Sequence, residues 1–289
     1  MIETLPIRII PRLDVKGPNL VKGIHLEGLR VLGKPEIFAD YYYNQGADEL
    51  LFMDIVASLY ERNSLHDIIS RVAKNIFIPL TVGGGLRTID DIHSVLRAGA
   101  DKVSLNTAAI QNINFVKEAV NVFGSSTIVI AIEAIKHDNG TYYAFTDNGR
   151  EETGKEVVEW AKHVESIGIG EILITSVDND GTGDGFDYDL IESISKEVKI
   201  PVIAHGGAQK KEDIQHLFQK TTVRSACIGS ILHYDAITSI TGNTSMNCED
   251  EGNIEFLKSK KKQFHKFKVC KIADIKNQEF NNDLLVRKF

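Results

Sequence analysis

Three observations in the sequence predict an α/β fold with a single closed barrel. Strand-like and helix-like runs alternate from one end of the chain to the other. The strand-like runs are apolar with little alternation, as expected of parallel strands covered on both faces. The chain also repeats itself: Pro79-Leu80-Thr81-Val82-Gly83-Gly84-Gly85 recurs as Pro201-Val202-Ile203-Ala204-His205-Gly206-Gly207, and Ala47–Phe52 recurs as Ile169–Ile174, both at an offset of 122 residues. Four strand–helix units per half close naturally into a (β/α)8 TIM barrel with a pseudo-twofold along its axis. An open doubly wound sheet gives no reason for that offset. Solenoid repeats are excluded because their periods are roughly 20–50 residues.

In chain order, strands are expected near 7–13, 49–54, 77–82, 101–105, 127–133, 171–176, 200–204 and 225–229. Amphipathic helices are expected over Pro35–Gln45, Asn63–Lys74, Asp90–Ala98, Asn114–Phe123, Lys155–Ile167, Asp187–Glu197 and Lys211–Gln219. The barrel is placed at 1–237, with half-barrels of about 1–123 and 124–237. Residues 238–253, polar and ending in acids, are expected as an inserted loop. Residues 254–289 are expected as a basic helix and a tail without clear period.

Bulk properties limit the function. The 289 residues are 43% hydrophobic and carry a net charge of −7, which disfavours general nucleic-acid binding. The last 35 residues, 255–289, hold ten Lys/Arg and four Asp/Glu, a local +6 that leaves −13 elsewhere. No window approaches 18 unbroken apolar residues and the N-terminus lacks signal-peptide features, so a cytoplasmic protein with no membrane span is expected. Cys227, Cys248 and Cys270 are scattered, without metal spacing, which fits a reducing compartment. No spacing implies a metal or an organic cofactor.

The candidate chemistry begins with two matching strand ends. Arg8–Lys16 and Thr127–Lys136 are apolar runs that each end in a carboxylate, Asp14 or Glu133, with a lysine close behind. An ionised group buried without a partner is costly, so both should face a site or a partner. Equivalent carboxylates in two half-chains suggest a general acid and a general base sharing one substrate; the alternative is that each pairs with its own lysine. Gly83-Gly84-Gly85 and Gly206-Gly207 follow strands directly, where backbone N–H groups can approach an anion. Asn106-Thr107 and Gly229-Ser230 bring polar donors beside them, so a phosphate site is expected in each half and a substrate with two phosphates overall; tight turns without a ligand are the alternative. The loop 176–185, rich in acids and glycine, resembles a calcium loop only superficially and should rim the active site. At the strand starts, Arg8, Glu49, Lys102 and Glu171 ring the opposite mouth as a stabilising ion-pair ring or a gate.

Together these residues resemble the cyclase subunit of imidazole glycerol phosphate synthase, or a divergent paralogue of it. The resemblance covers about Arg8 to His233. It rests on Leu13-Asp14-Val15-Lys16, Leu20-Val21-Lys22-Gly23, Gly46–Leu50, Thr81–Gly85, Gly99–Thr107, Thr153-Gly154, Glu159-Trp160-Ala161 and Asp178–Thr182. It implies a heterodimer with a glutamine amidotransferase subunit at the N-terminal barrel face, whose ammonia crosses a gate of Arg8, Glu49, Lys102 and Glu171. It also implies attack on a bis-phosphorylated formimino-aminoimidazole-carboxamide ribonucleotide, giving imidazole glycerol phosphate and the carboxamide ribonucleotide. By resemblance, Asp14 and Glu133 are catalytic and Lys22 lies on a mobile first loop. Gly85, Asn106 and Thr107 would hold one phosphate; Asp180, Gly181, Gly207, Gly229 and Ser230 would hold the other. Three residues depart from the pattern: Glu133 stands for an aspartate, and Arg12 and His205 for smaller residues. Those departures motivate an alternative, a paralogue that delivers ammonia to another acceptor such as a surface-polysaccharide sugar. Two further readings are a sister isomerase, which would not need the charged mouth, and a weakly catalytic scaffold for an amidotransferase.

Overall fold

The computed structural model describes residues 6–55, 66–240, 266–278, 280 and 284–287. The first half contains β1 (Arg8–Lys16), β2 (Asn19–Ile24), β3 (Glu27–Gly33), α1 (Pro35–Asn44), β4 (Leu50–Asp54), α2 (His66–Val72), β5 (Leu80–Gly83), α3 (Ile89–Ala98), β6 (Lys102–Leu105), α4 (Thr107–Gln111) and α5 (Ile113–Phe123). The second contains β7 (Ile128–Lys136), β8 (Tyr142–Thr146), β9 (Glu151–Glu156), α6 (Val157–Ile167), β10 (Glu171–Ser176), α7 (Tyr188–Ser195), β11 (Val202–His205), α8 (Lys211–Lys220), β12 (Ser225–Ile228) and α9 (Ser230–Ile240). A short α10 (Ile272–Lys276) follows.

Eight strands close the barrel in the order β1, β4, β5, β6, β7, β10, β11, β12 and back to β1, every pairing parallel. Strand period two sorts each strand between two cores. On β1, Ile9, Leu13 and Val15 pack outward under the helices, while Ile10 joins Leu51, Val129, Ala131, Leu173, Ile203 and Cys227 in an apolar cluster inside the bore. On β7, Ile128, Ile130 and Ile132 pack outward and Val129 and Ala131 inward. Arg8, Arg12 and Asp14 share the parity of Ile10, and Glu133 shares that of Ala131, so all four belong to the bore.

The sequence did not disclose that β1 and β7 each run past the barrel rim into an antiparallel meander. β2 pairs with β1 and β3 with β2; β8 pairs with β7 and β9 with β8. α9 was also missed and extends into the segment expected as an inserted loop. It is buried through Ile231, Leu232, His233, Ala236, Ile237 and Ile240, so its sequence shows little amphipathic period. Most of the polar loop and of the basic helix expected at 254–268 lies outside the described residues.

The tail is stitched to the start of β1. Ile7 N donates to Leu285 O at 2.9 Å, and Lys276 Nζ reaches Asp48 Oδ1 at 2.6 Å in a buried ion pair. Asp48 Oδ2 in turn accepts from Ile9 N at 2.9 Å.

Candidate active site

At the N-terminal mouth the four expected charges form a closed alternating ring. Arg8 donates to Glu49 at 3.1 Å and to both carboxylate oxygens of Glu171 at 3.1 and 3.0 Å. Lys102 reaches Glu49 at 2.9 Å and Glu171 at 3.0 Å. Thr81 Oγ1 and Ser225 Oγ brace the ring through Glu49 and Arg8. Burial alone would raise the pKa of Glu171, but Arg8 and Lys102 more than offset it and hold the carboxylate below its ordinary value.

At the other end the two carboxylates occupy equivalent places: Asp14 lies in register with Met53 of β4, and Glu133 with Thr175 of β10. Their environments differ. Asp14 Oδ1 accepts from Arg12 Nε at 2.7 Å, both side chains being buried. The rest of the Arg12 fork crosses the bore, with Nη1 at 3.4 Å from Thr175 Oγ1 and 3.3 Å from His205 Nδ1. Glu133 Oε2 accepts the backbone N–H of Gly149 at 2.8 Å, on the β8–β9 turn. Burial pushes the Glu133 carboxyl up to about 7, against the lowering effects of Gly149, Arg12 and Asn106.

The glycine loops repeat in conformation as well as sequence. Gly84 and Gly85 have φ of 100° and 71°, and their counterparts Gly206 and Gly207 have 105° and 97°, values that disfavour any other residue. A Cβ on Gly84 would strike Asp54 O, and one on Gly207 would strike Gly185 O, so the strand-end loops lie against one another. Gly85, Asn106, Thr107 and Glu133 line one pocket together. The Asn106 amide is engaged by Phe145 O at 3.1 Å, and Thr107 Oγ1 accepts from Asp147 N at 3.5 Å.

Several residues expected at the second anion site lie around Lys22. Lys22 was expected on a loop; it lies instead in β2, buried, with Nζ 2.9 Å from both oxygens of Asp180. Its Cε lies 3.6 Å from the Cβ position of Gly229, and Gly181 packs on the backbone of Gly23 and Ile24. Ser230 is buried in the first turn of α9. Burial would raise the Asp180 carboxyl, but Lys22 and Arg12 hold it well below the carboxylate range. His233, buried below Gly229 with Nδ1 2.6 Å from Tyr42 Oη, is pushed down to about 3 by burial and by Lys22, so it is neutral. The acids of the 176–185 loop are spent on protein partners: Asp178 accepts from Lys136 N, Asp180 from Lys22 and Asp184 from Lys266. Among the described residues no cluster of His, Cys, Asp or Glu could hold a metal ion, and no helix is long and apolar enough to cross a membrane.

Sequence reading missed the two hairpins that furnish Gly149 and the β2 setting of Lys22. Asn148-Gly149 between two strand-like runs was the available signal for the β8–β9 hairpin.

Comparison with known proteins gives one answer. The family described as "Histidine biosynthesis protein" matches residues 8–238. Imidazole glycerol phosphate synthase subunit HisF of Legionella pneumophila is 55% identical over 207 residues, 72% of this chain and 98% of that protein. The proteins of the same name from Hydrogenobaculum sp. and Methanocaldococcus jannaschii are 50% and 45% identical, each over 80% of this chain and 92% of their own length. The barrel, its repeat and the extent of these matches agree: the chain belongs to the histidine biosynthesis protein family.

Proposed function

We propose that the chain is the cyclase subunit of an imidazole glycerol phosphate synthase, a lyase that works in the cytoplasm as a heterodimer with a glutaminase subunit. Ammonia from that subunit, docked on the N-terminal mouth, passes the Arg8–Glu49–Lys102–Glu171 ring and the apolar bore. It meets the formimino-aminoimidazole-carboxamide ribonucleotide between Asp14 and Glu133. Gly85, Asn106 and Thr107 cradle one phosphate; Asp180, Gly181, Gly207, Gly229 and Ser230 cradle the other, with Lys22 beside them. The observation that carries this reading is the coaxial arrangement: a charged ring, an apolar bore and a pair of carboxylates stacked along one lumen, with a glycine loop of matching conformation in each half.

The test is turnover of the formimino ribonucleotide by the purified chain with excess ammonium chloride at alkaline pH, followed by the fall in substrate absorbance. Activity that disappears in Asp14→Asn supports the reading; a folded chain that binds the ribonucleotide and does not convert it overturns it. One observation favours a second reading, a paralogue with another ammonia acceptor: Arg12 is buried inside the bore against Asp14, His205 is buried against Arg12, and both fill space there. Growth of a histidine auxotroph lacking its own cyclase separates the two, since rescue excludes the paralogue as the sole role.

A further inference from the structure

We propose that Arg12 is a positioning residue that serves both carboxylates: its guanidinium, anchored across the bore, holds Asp14 in an ion pair and keeps a fixed positive charge beside Glu133. This rests on the reading of Asp14 and Glu133 as the reacting pair.

The geometry is asymmetric where the fold is symmetric. Arg12 sits on the bore-facing side of β1 between Ile10 and Asp14, and its counterpart on β7 is the small Ala131. Its Nε is spent on Asp14 at 2.7 Å. Nη1 is anchored across the lumen by Thr175 and His205. As the guanidinium can only donate, His205 Nδ1 accepts and its proton lies on Nε2, 3.8 Å from Asp180 Oδ1. Burial and the neighbouring Arg12 push the His205 pKa well below its ordinary value, so the ring stays neutral and brings no second cation against Arg12. The closest partner of Glu133 is instead the uncharged N–H of Gly149. The charges that act on Glu133 are Arg12 from β1, which lowers its pKa, and Asp147 from the β8–β9 turn, which raises it; Asp54 and Arg87 line the same pocket. Arg12 itself faces Asp14, Asp180 and Cys227.

Two variants test the assignment. Arg12→Met removes the charge at similar length, and Arg12→Lys restores it. The first readout needs no substrate: 13C carboxyl NMR of glutamate-labelled protein, with the Glu133 signal assigned through Glu133→Gln. The Glu133 midpoint rises in Arg12→Met and returns toward the wild-type value in Arg12→Lys. The second readout is ammonium-dependent kcat against pH. In Arg12→Met, kcat falls by on the order of 100-fold, KM changes by less than about threefold, and the limb governed by Glu133 moves with its midpoint. An unmoved Glu133 midpoint in Arg12→Met, or a loss confined to KM, overturns the proposal. If the wild-type chain does not turn over the formimino ribonucleotide, the proposed function fails, whereas the carboxyl titration still decides the role of Arg12. Should Arg12→Met not fold, Arg12→Gln, uncharged but still a donor, gives the same titration.

Discussion

The two half-barrels share a plan and differ in charge. Each opens on a nine-residue strand that crosses the rim and folds back as a meander, β1–β2–β3 in one half and β7–β8–β9 in the other. Each meander bonds to a strand-end loop of the opposite half, three strands back around the ring. His25 N donates to Asp180 O at 2.8 Å after β10, and Asn148 Nδ2 donates to Ile55 O after β4. The first hairpin is nevertheless bolted by a buried ion pair, Lys22 to Asp180, and the second by the neutral Asn148–Ile55 hydrogen bond and an exposed ion pair from Arg150 to Glu27. The carboxylates follow the same division: Asp14 has a cation and Glu133 has an amide. A duplicated fold can thus supply two matching positions while the residues around them give each carboxylate different partners.

The sharpest way to break this comparison is to neutralise each carboxylate in turn. Asp14→Asn and Glu133→Gln should each lower ammonium-dependent kcat by on the order of 10²–10⁴-fold. Urea denaturation should then separate them. Asp14→Asn strands the Arg12 guanidinium and should cost about 3–5 kcal/mol, whereas Glu133→Gln should cost far less. Equal costs would show that the ion pair does not distinguish the halves.

The hairpin bolts come next. Lys22→Met leaves Asp180 buried without its main cation and should cost about 3–5 kcal/mol, read as a lowered urea midpoint with unchanged m.

A pH series sharpens the comparison further. Glu133 has a folded-state pKa of about 7, above its ordinary 4.5, so between those values the folded chain holds a proton that the unfolded chain has released. Glu133 therefore disfavours the folded state increasingly as pH rises through that window, by on the order of 3 kcal/mol once it is fully ionised. Comparing unfolding free energies of the wild type and Glu133→Gln at pH 4.5 and pH 8 isolates this contribution. A difference independent of pH would refute it.

The smallest effect is expected at the neutral bolt. Asn148→Ala removes one hydrogen bond to Ile55 O and should cost about 1 kcal/mol, visible as a small fall in melting temperature.

Much of this protein was legible in its sequence because a parallel barrel writes its plan into local patterns. Apolar runs without alternation mark strands covered on both faces, and an offset of 122 residues marks two equal halves. The strand ends then put Asp14, Glu133 and both glycine loops at one mouth and Arg8, Glu49, Lys102 and Glu171 at the other. The meanders were harder to read. Their outer strands β3 and β9 are partly exposed and lack an apolar run, and Lys22, a buried cation on β2, reads as a surface loop residue until its partner is known.

What only the tertiary structure decided is which charges meet. Arg12 and Asp14 are two residues apart on one strand, a spacing that puts both in the bore, but Thr175 and His205 come from strands more than 160 residues further on. Lys22 finds Asp180 across 158 residues, and Glu133 finds Gly149 only because β8 and β9 fold back over the rim. Hydrophobic period is a property of neighbours in the chain and can be read from it. Proton affinity depends on burial and on charges brought in from distant segments, and it exists only once the barrel has closed.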